Sequence, residues 1–155
     1  MRIGQGIDVH PFATARPLVL GGLRIADSGG LAGHSDADAV LHAVTDALLG
    51  AVAAGDIGSY FPSDDPRWKG ADSAIFVREA ARIVAERGFV IANLDVTVIA
   101  ERPRLAPHRD AIRDSLATIL AVSPDRVSLK ATTTDHLGFL GRGEGLAAIA
   151  IVLVE

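Results

Sequence analysis

Two apolar periods alternate along this chain, and their alternation restricts its fold more than any other feature. Around Leu94, Val96 and Val98 apolar residues recur at every second position, as a half-buried strand requires. Leu41, Val44, Leu48 and Leu49 recur instead at the three- and four-residue spacing of a helix. A segment patterned for one period cannot bury its apolar side in the other. The pattern predicts strands at 2–11, 89–100, 127–133 and 146–154. It predicts helices from Asp36 to Ala54, from Asp72 and Ser73 to Arg87, and from about Pro107 to Ala121. Pro17–Leu20 and the segment around Ile25 read as a short hairpin turning at Gly21-Gly22. Asp36 is the expected N-cap of the first helix, Gly55 its stop, and Gly88 the stop of the second. Residues 56–71, with Gly58, Pro62, Pro66 and Gly70, read as a mobile loop. This order describes one α/β domain over residues 1–155, an α+β sandwich with a mixed, mainly four-stranded sheet covered on one face by helices. The last two strands, joined by a short loop, are expected to involve antiparallel pairing.

On that frame Asp8 and His10 lie two apart on the first strand, so their side chains leave the same face. Asp38, His42 and Asp46 are spaced i, i+4, i+8 and would share one helix face. One strand and one helix can therefore present Asp8, His10 and His42 to a single ion. Three N/O ligands with the fourth position open suit a catalytic zinc rather than a structural one. Mn²⁺ and Fe²⁺ accept the same donors, and without cysteine ligand softness does not separate them. Each residue alone has a plainer reading: a satisfied strand histidine, a turn acceptor, a helix-surface histidine. The combination is what points to metal.

Three further constellations carry chemistry. Lys130-Ala131-Thr132-Thr133-Thr134-Asp135 ends a strand with hydroxyls and N–H groups that could cradle a phosphate. Asp135 could add a carboxylate for Mg²⁺, although a threonine run is also ordinary strand sequence. Gly138 to Gly145 is glycine-rich and offers Arg142 to an anion, without the spacing of a dinucleotide or P-loop motif. Asp56-Ile57-Gly58 and Phe61-Pro62-Ser63-Asp64-Asp65 could grip the hydroxyls of a polyol, or be a solvated loop. The net charge of −4 and the lack of a basic run exclude a nucleic-acid footprint. The absence of cysteine excludes disulfides and thiolate metal sites. The most apolar stretch, 145–154, is too short to span a membrane. With no signal-like start, a cytoplasmic protein is expected. A 49% hydrophobic composition suggests apolar surface shared between subunits.

The stretches Gly6 to Phe12, His34 to Ala51, Gly55 to Pro62, Lys69 to Ser73 and Lys130 to Gly145 resemble, in order, the motifs of the 2-C-methyl-D-erythritol 2,4-cyclodiphosphate synthase family of the non-mevalonate isoprenoid pathway. The resemblance covers essentially the whole chain. It implies an enzyme that takes 4-diphosphocytidyl-2-C-methyl-D-erythritol 2-phosphate, whose 2-phosphate attacks the β-phosphorus and expels CMP. It implies Zn²⁺ or another divalent transition metal on Asp8, His10 and His42, with Mg²⁺ or Mn²⁺ bridging the α- and β-phosphates through Asp135. His34 and Thr133 would stabilise the transition state. The loop with Asp56, Ile57, Gly58, Phe61, Pro62, Ser63, Asp64 and Asp65 would hold the methylerythritol part, and Asp8, His10, His34 and Ser35 would also bind substrate. A cytidine pocket would comprise Ala100, Glu101, Arg102, Pro103, Arg104, Leu105 and Ala106 with Ala131 and Thr132, followed by Thr134. The family forms a homotrimer with sites between subunits, and residues matching Phe139 and Arg142 line a central cavity that in some members accepts an isoprenoid diphosphate. Three positions depart from its pattern: Asp135 stands for Glu, His136 for Lys, and Arg104 for Lys. Asp135 reaches about one carbon less far, and Arg104 keeps the charge with a different donor geometry.

The residues taken alone also admit a metal-dependent phosphohydrolase, with Asp38 or Asp46 as general base, and a trimeric module that binds a phosphorylated ligand without turnover. The physical logic favours cyclisation. Its nucleophile is already part of the substrate, so positioning and charge neutralisation are the tasks left to the chain.

Overall fold

The computed structural model describes residues 1–155. In chain order the elements are β1 (Arg2–Ala13), β2 (Leu18–Leu20), β3 (Leu23–Ala26), β4 (Gly30–Leu31), α1 (Ala39–Ala51), α2 (Ile57–Tyr60), α3 (Ala74–Glu86), β5 (Ile91–Ile99), α4 (Arg109–Leu120), β6 (Val127–Thr132), α5 (Gly138–Gly141) and β7 (Gly145–Val154). Single 3-10 turns lie at Pro66–Trp68, Ala106–His108 and Pro124–Arg126. The main sheet has five strands in the order β4-β1-β7-β5-β6, while β2 and β3 form a separate hairpin. β5 and β6 run parallel, and the other pairs are antiparallel.

The sheet is thus mixed, as expected, with four long strands and a two-residue fifth, β4, beside Phe12 and Ala13. One expectation fails: the last two strands do not pair with each other. β7 inserts between β1 and β5, and β6 lies at the edge beside β5. Composition explains the placement. β7 is apolar on both faces, which suits a central strand. β6 exposes Ser128 and Lys130 on one face, which suits an edge.

Helices α1, α3 and α4 cover one face. The core joins Leu41, Val44 and Leu48 of α1, Val77 and Val84 of α3, and Ile112 and Leu116 of α4 to Leu94, Val96 and Val98 of β5 and Ala148, Ala150 and Val152 of β7. Each strand sends alternate residues to this layer. On β1 those residues are Gly4, Gly6, Asp8 and His10, and the two glycines let α1 rest directly on the strand. A Cβ at Gly4 would stand 1.8 Å from Ala47 O, and one at Gly6 2.0 Å from Ala43 O. The opposite face has no helix over it. Ile3, Ile7, Val9 and Ile151 are there 70%, 56%, 45% and 43% exposed.

Helix starts differ from expectation in a way that matters for the site. Asp38, not Asp36, caps α1, accepting from Leu41 N at 3.1 Å. The helix ends at Ala51, because Ala53 turns left-handed at φ 53° before Gly55 is reached. Residues 56–71 are shaped by their own aspartates: Asp56 caps α2 and Asp65 caps the turn at Pro66–Trp68.

Candidate metal centre

With α1 pressed on β1, His42 lies over the end of the strand that carries Asp8 and His10. Asp8 Oδ2 is 2.8 Å from His10 Nε2 and 3.1 Å from His42 Nδ1. The two imidazole nitrogens are 3.2 Å apart. Ligand atoms held about 2.0–2.1 Å from a tetrahedral ion lie roughly 3.3 Å from one another, so these donors are already near the spacing of a common metal. One ligand atom from each residue lies within 4.8 Å of the others. The far nitrogens are also committed: His10 Nδ1 donates to Ala32 O at 2.6 Å, leaving Nε2 free to ligate.

Electrostatics fit the same picture. Burial pushes the Asp8 carboxyl up, but hydrogen bonds from His10 and His42 and their charges outweigh it and hold it well below the usual carboxylate range. The hydrogen bond to Asp8 raises His10 against the opposing effect of burial. A divalent cation would take the place of the protons this cluster now attracts.

The triad opens into a cavity of about 290 Å³ that also takes in His34, Ser35, Ile57, Gly58, Phe61 and Ser63. These residues were expected to meet there. His34 Nε2 donates to Asp65 O at 3.0 Å, tying its loop to the acidic one. Arg16 reinforces that loop by donating to Gly33 O at 2.6 Å and also to Ser35 O. The acidic loop is less open to a ligand than its composition suggests. Asp56 accepts from Ser59 N and Oγ at 2.9 and 2.7 Å, and Arg67 binds Asp65. Two wall residues, Trp68 and Phe76, were not anticipated. Phe76 stacks 4.4 Å from Phe61, and Trp68 meets Phe76 edge-on at 5.7 Å. Phe76 looked like one more core residue of a helix, while Trp68, the sole tryptophan, was the available signal.

Asp38 and Asp46 do not share the face of His42 as free carboxylates. Asp38 is fully buried and accepts from Gly21 N at 2.9 Å, Gly22 N at 2.7 Å and Leu41 N. Burial pushes it up to about 6, against the pull of those N–H groups. Asp46 accepts from Ile57 N at 2.7 Å and so fastens α2 to α1. Neither is placed as the general base that a hydrolase would need.

A second cleft of about 240 Å³ gathers Ala100, Glu101, Pro103, Arg104, Leu105, Ala106, Ala131, Thr132 and Thr133. Arg102 is turned away from it, over the ring of Phe12 at 5.0 Å. Lys130 does not join this cleft either, because its ammonium pairs with Asp95 at 2.5 Å. Glu101 Oε1 accepts from Thr134 N at 3.2 Å and His136 N at 3.3 Å, which shapes the loop bearing Asp135. Asp135 and His136 both adopt left-handed backbone, φ 51° and 65°. Asp135 is exposed and stands apart from the triad. β1 and β6 are separated by β7 and β5, about 14 Å at ordinary strand spacing. Phe139 is exposed, and Arg142 pairs with Glu144 at 2.6 Å. No helix is long and apolar enough to cross a membrane.

A model of the YgbB family matches residues 1–155. A 2-C-methyl-D-erythritol 2,4-cyclodiphosphate synthase of Laribacter hongkongensis is 59% identical over 155 residues, covering 100% of this chain and 96% of its own length. One from Geobacter sulfurreducens is 54% identical, covering 100% of this chain and 99% of its own. A bifunctional IspD/IspF enzyme of Erythrobacter litoralis is also 54% identical, but this chain spans only 40% of it. Among solved structures, a CDP-bound 2C-methyl-D-erythritol-2,4-cyclodiphosphate synthase superposes with a TM-score of 0.91 at 43% identity, covering 99% of this chain and 100% of that one.

Proposed function

Because the chain belongs to the YgbB family, matched from its first residue to its last, we propose that it converts 4-diphosphocytidyl-2-C-methyl-D-erythritol 2-phosphate to 2-C-methyl-D-erythritol 2,4-cyclodiphosphate and CMP, a step of isoprenoid precursor synthesis. An oxygen of the 2-phosphate bonds to the β-phosphorus. The bond from that phosphorus to the oxygen shared with the α-phosphate breaks, and its electron pair leaves with CMP. The observation that carries this reading is the joining of full-length identity to relatives so named with an Asp8-His10-His42 cluster of metal spacing.

The triad would hold Zn²⁺ and Asp135 a Mg²⁺ or Mn²⁺, which when bound neutralise charge on the diphosphate as Lewis acids. The chain's own task is then orientation. His34 and Thr133 face the phosphates and stabilise charge as the fifth bond forms. Ser35, Ile57, Gly58, Phe61, Pro62, Ser63 and Asp64, with Asp56 and Asp65 shaping the loop, enclose the methylerythritol. Ala100, Glu101 and Pro103 to Ala106, with Ala131 and Thr132, hold cytidine, while Arg102 lies outside the cleft. Fixing an intramolecular attack in this way supplies up to roughly 7–11 kcal/mol in favourable cases.

The chain works as a homotrimer in this reading. The uncovered sheet face supports it: Ile7 pairs with Ile149 and Ile3 with Leu153, with Ile151 between them opposite Gln5, a largely aliphatic patch that water disfavours. The wide gap between the triad and Asp135 within one chain supports a site completed by a neighbouring copy. Phe139 and Arg142 would line the cavity at the trimer axis, with room for an isoprenoid diphosphate. In this reading the protein acts in the cytoplasm on its small-molecule substrate.

The test is CMP release by the purified chain. Release that stops after metal is stripped, returns with Zn²⁺ and Mg²⁺, and is absent from a folded His42→Ala variant supports the reading. Release unchanged in His42→Ala overturns it.

A further inference from the structure

Ser73 stands at the N-cap of α3, where a serine hydroxyl ordinarily accepts from an N–H of the first turn. It makes no such bond. Ala74 N donates to Asp72 Oδ1 at 2.8 Å instead, and the fully buried Ser73 turns its hydroxyl away from its own helix. Ser73 Oγ lies 2.9 Å from His42 Nε2 and 2.5 Å from Asp36 Oδ1. The other oxygen of Asp36 accepts from Ser73 N at 3.1 Å. Ser35 Oγ is 3.0 Å from the same histidine nitrogen and 3.3 Å from Ser73 Oγ.

With an ion on Asp8, His10 and His42, the proton that His42 Nδ1 gives Asp8 in its absence is displaced, and the proton positions behind the ring follow from the remaining contacts. A carboxylate only accepts, so the Ser73 O–H points at Asp36. The Ser73 oxygen is then an acceptor towards His42, and Nε2 carries the ring proton. Ser35 accepts from Ala37 N at 3.2 Å and gives its own proton to Ser73. With the ring proton on Nε2, the lone pair of His42 is on Nδ1, the nitrogen that faces Asp8 and His10 and would meet the ion.

We propose that Ser73 and Asp36 form a buried relay behind His42 that fixes its tautomer and ring orientation and strengthens Nδ1 as a metal ligand. The proposal rests on reading Asp8, His10 and His42 as a metal centre. Both are positioning residues: they act through His42 and touch neither the ion nor the substrate. The serine has given up its cap for this, and the outer shell of a ligating histidine is where a carboxylate of this kind tunes affinity.

The experiment is a Zn²⁺ competition titration of the metal-stripped full chain against a chromophoric chelator, with the absorption spectrum of the Co²⁺-loaded chain as a second readout. Ser73→Ala, the isosteric Asp36→Asn and the double variant are compared with wild type, and melting temperatures of the stripped forms confirm folding. Each single variant should bind Zn²⁺ about 10–100-fold more weakly and shift the Co²⁺ bands. The double variant should bind no more weakly than the worse single one, since either change breaks the same relay. Zn²⁺ affinity of folded Asp36→Asn within twofold of wild type, with an unchanged Co²⁺ spectrum, overturns the relay. Losses that simply add also overturn it. A wild-type chain that takes up neither ion overturns the metal centre and the relay with it.

Discussion

Gly6→Ala tests whether the seat of α1 on β1 is what assembles the metal centre. The added Cβ would lie 2.0 Å from Ala43 O and 2.8 Å from Ala47 N. Both are backbone atoms, so no side-chain rotation relieves the contact. Real Cβ contacts essentially never fall below 3.0 Å, so helix and strand must separate by about 1 Å. His42 is the residue next to Ala43 and travels with it. Metal sites tolerate ligand displacements of only about 0.2 Å, so a shift of this size spoils the triad. Overpacking costs about 1–3 kcal/mol, and a backbone clash belongs at the upper end. At about 2–4 °C per kcal/mol for a chain of this length, the melting temperature should fall by roughly 6–12 °C. Calorimetry of the metal-free protein measures that fall, and metal analysis after dialysis measures the loss of the site. A variant that melts within about 2 °C of wild type and keeps its metal would refute the reasoning.

Other consequences follow from the same geometry. Asp38→Ala leaves three N–H groups, of Gly21, Gly22 and Leu41, without their acceptor; at about 1–3 kcal/mol each the loss should reach at least about 3 kcal/mol in denaturant unfolding. His10 is raised by Asp8, so in the metal-free chain its stabilisation is fully present below the ordinary histidine value near 6.5 and is lost as pH rises through the raised one. Metal uptake needs the neutral ring and runs the other way. Between about pH 6 and 8 the melting temperature of the stripped chain should therefore fall while Zn²⁺ affinity rises, and both moving together would contradict the assignment. Ile7→Lys puts a charge into the uncovered sheet face, so if the proposed homotrimer meets there, sedimentation should show trimer for wild type and monomer for the variant; a variant that sediments as a trimer would place the interface elsewhere.

Much of this was legible in the residues because period and spacing are local. Asp8 and His10 two apart on a strand, and His42 inside a helix, were enough to expect three side chains that could share one ion, and the structure brings them together. The sheet's order was not legible, since strand neighbours depend on which strands can be buried on both faces. β7 is apolar throughout, and that fact places it centrally, but the short loop before it pointed to pairing with β6. Asp36 and Asp38 show the limit for polar residues. Both are good caps in sequence, and only the proximity of Gly21-Gly22 and Ser73 decides that Asp38 caps α1 while Asp36 serves Ser73. The acidic loop shows the same limit, because an aspartate that caps its own turn looks identical in sequence to one that faces a ligand.

The central claim is cyclisation by a metal-dependent site, and the products decide it. Purified chain is incubated with 4-diphosphocytidyl-2-C-methyl-D-erythritol 2-phosphate and Mg²⁺, with and without a zinc chelator, and followed by ³¹P NMR. The account predicts two mutually coupled phosphorus signals of a cyclic diphosphate together with CMP, both lost when zinc is stripped. Inorganic phosphate in their place, or a cyclic product that persists without metal, would contradict it.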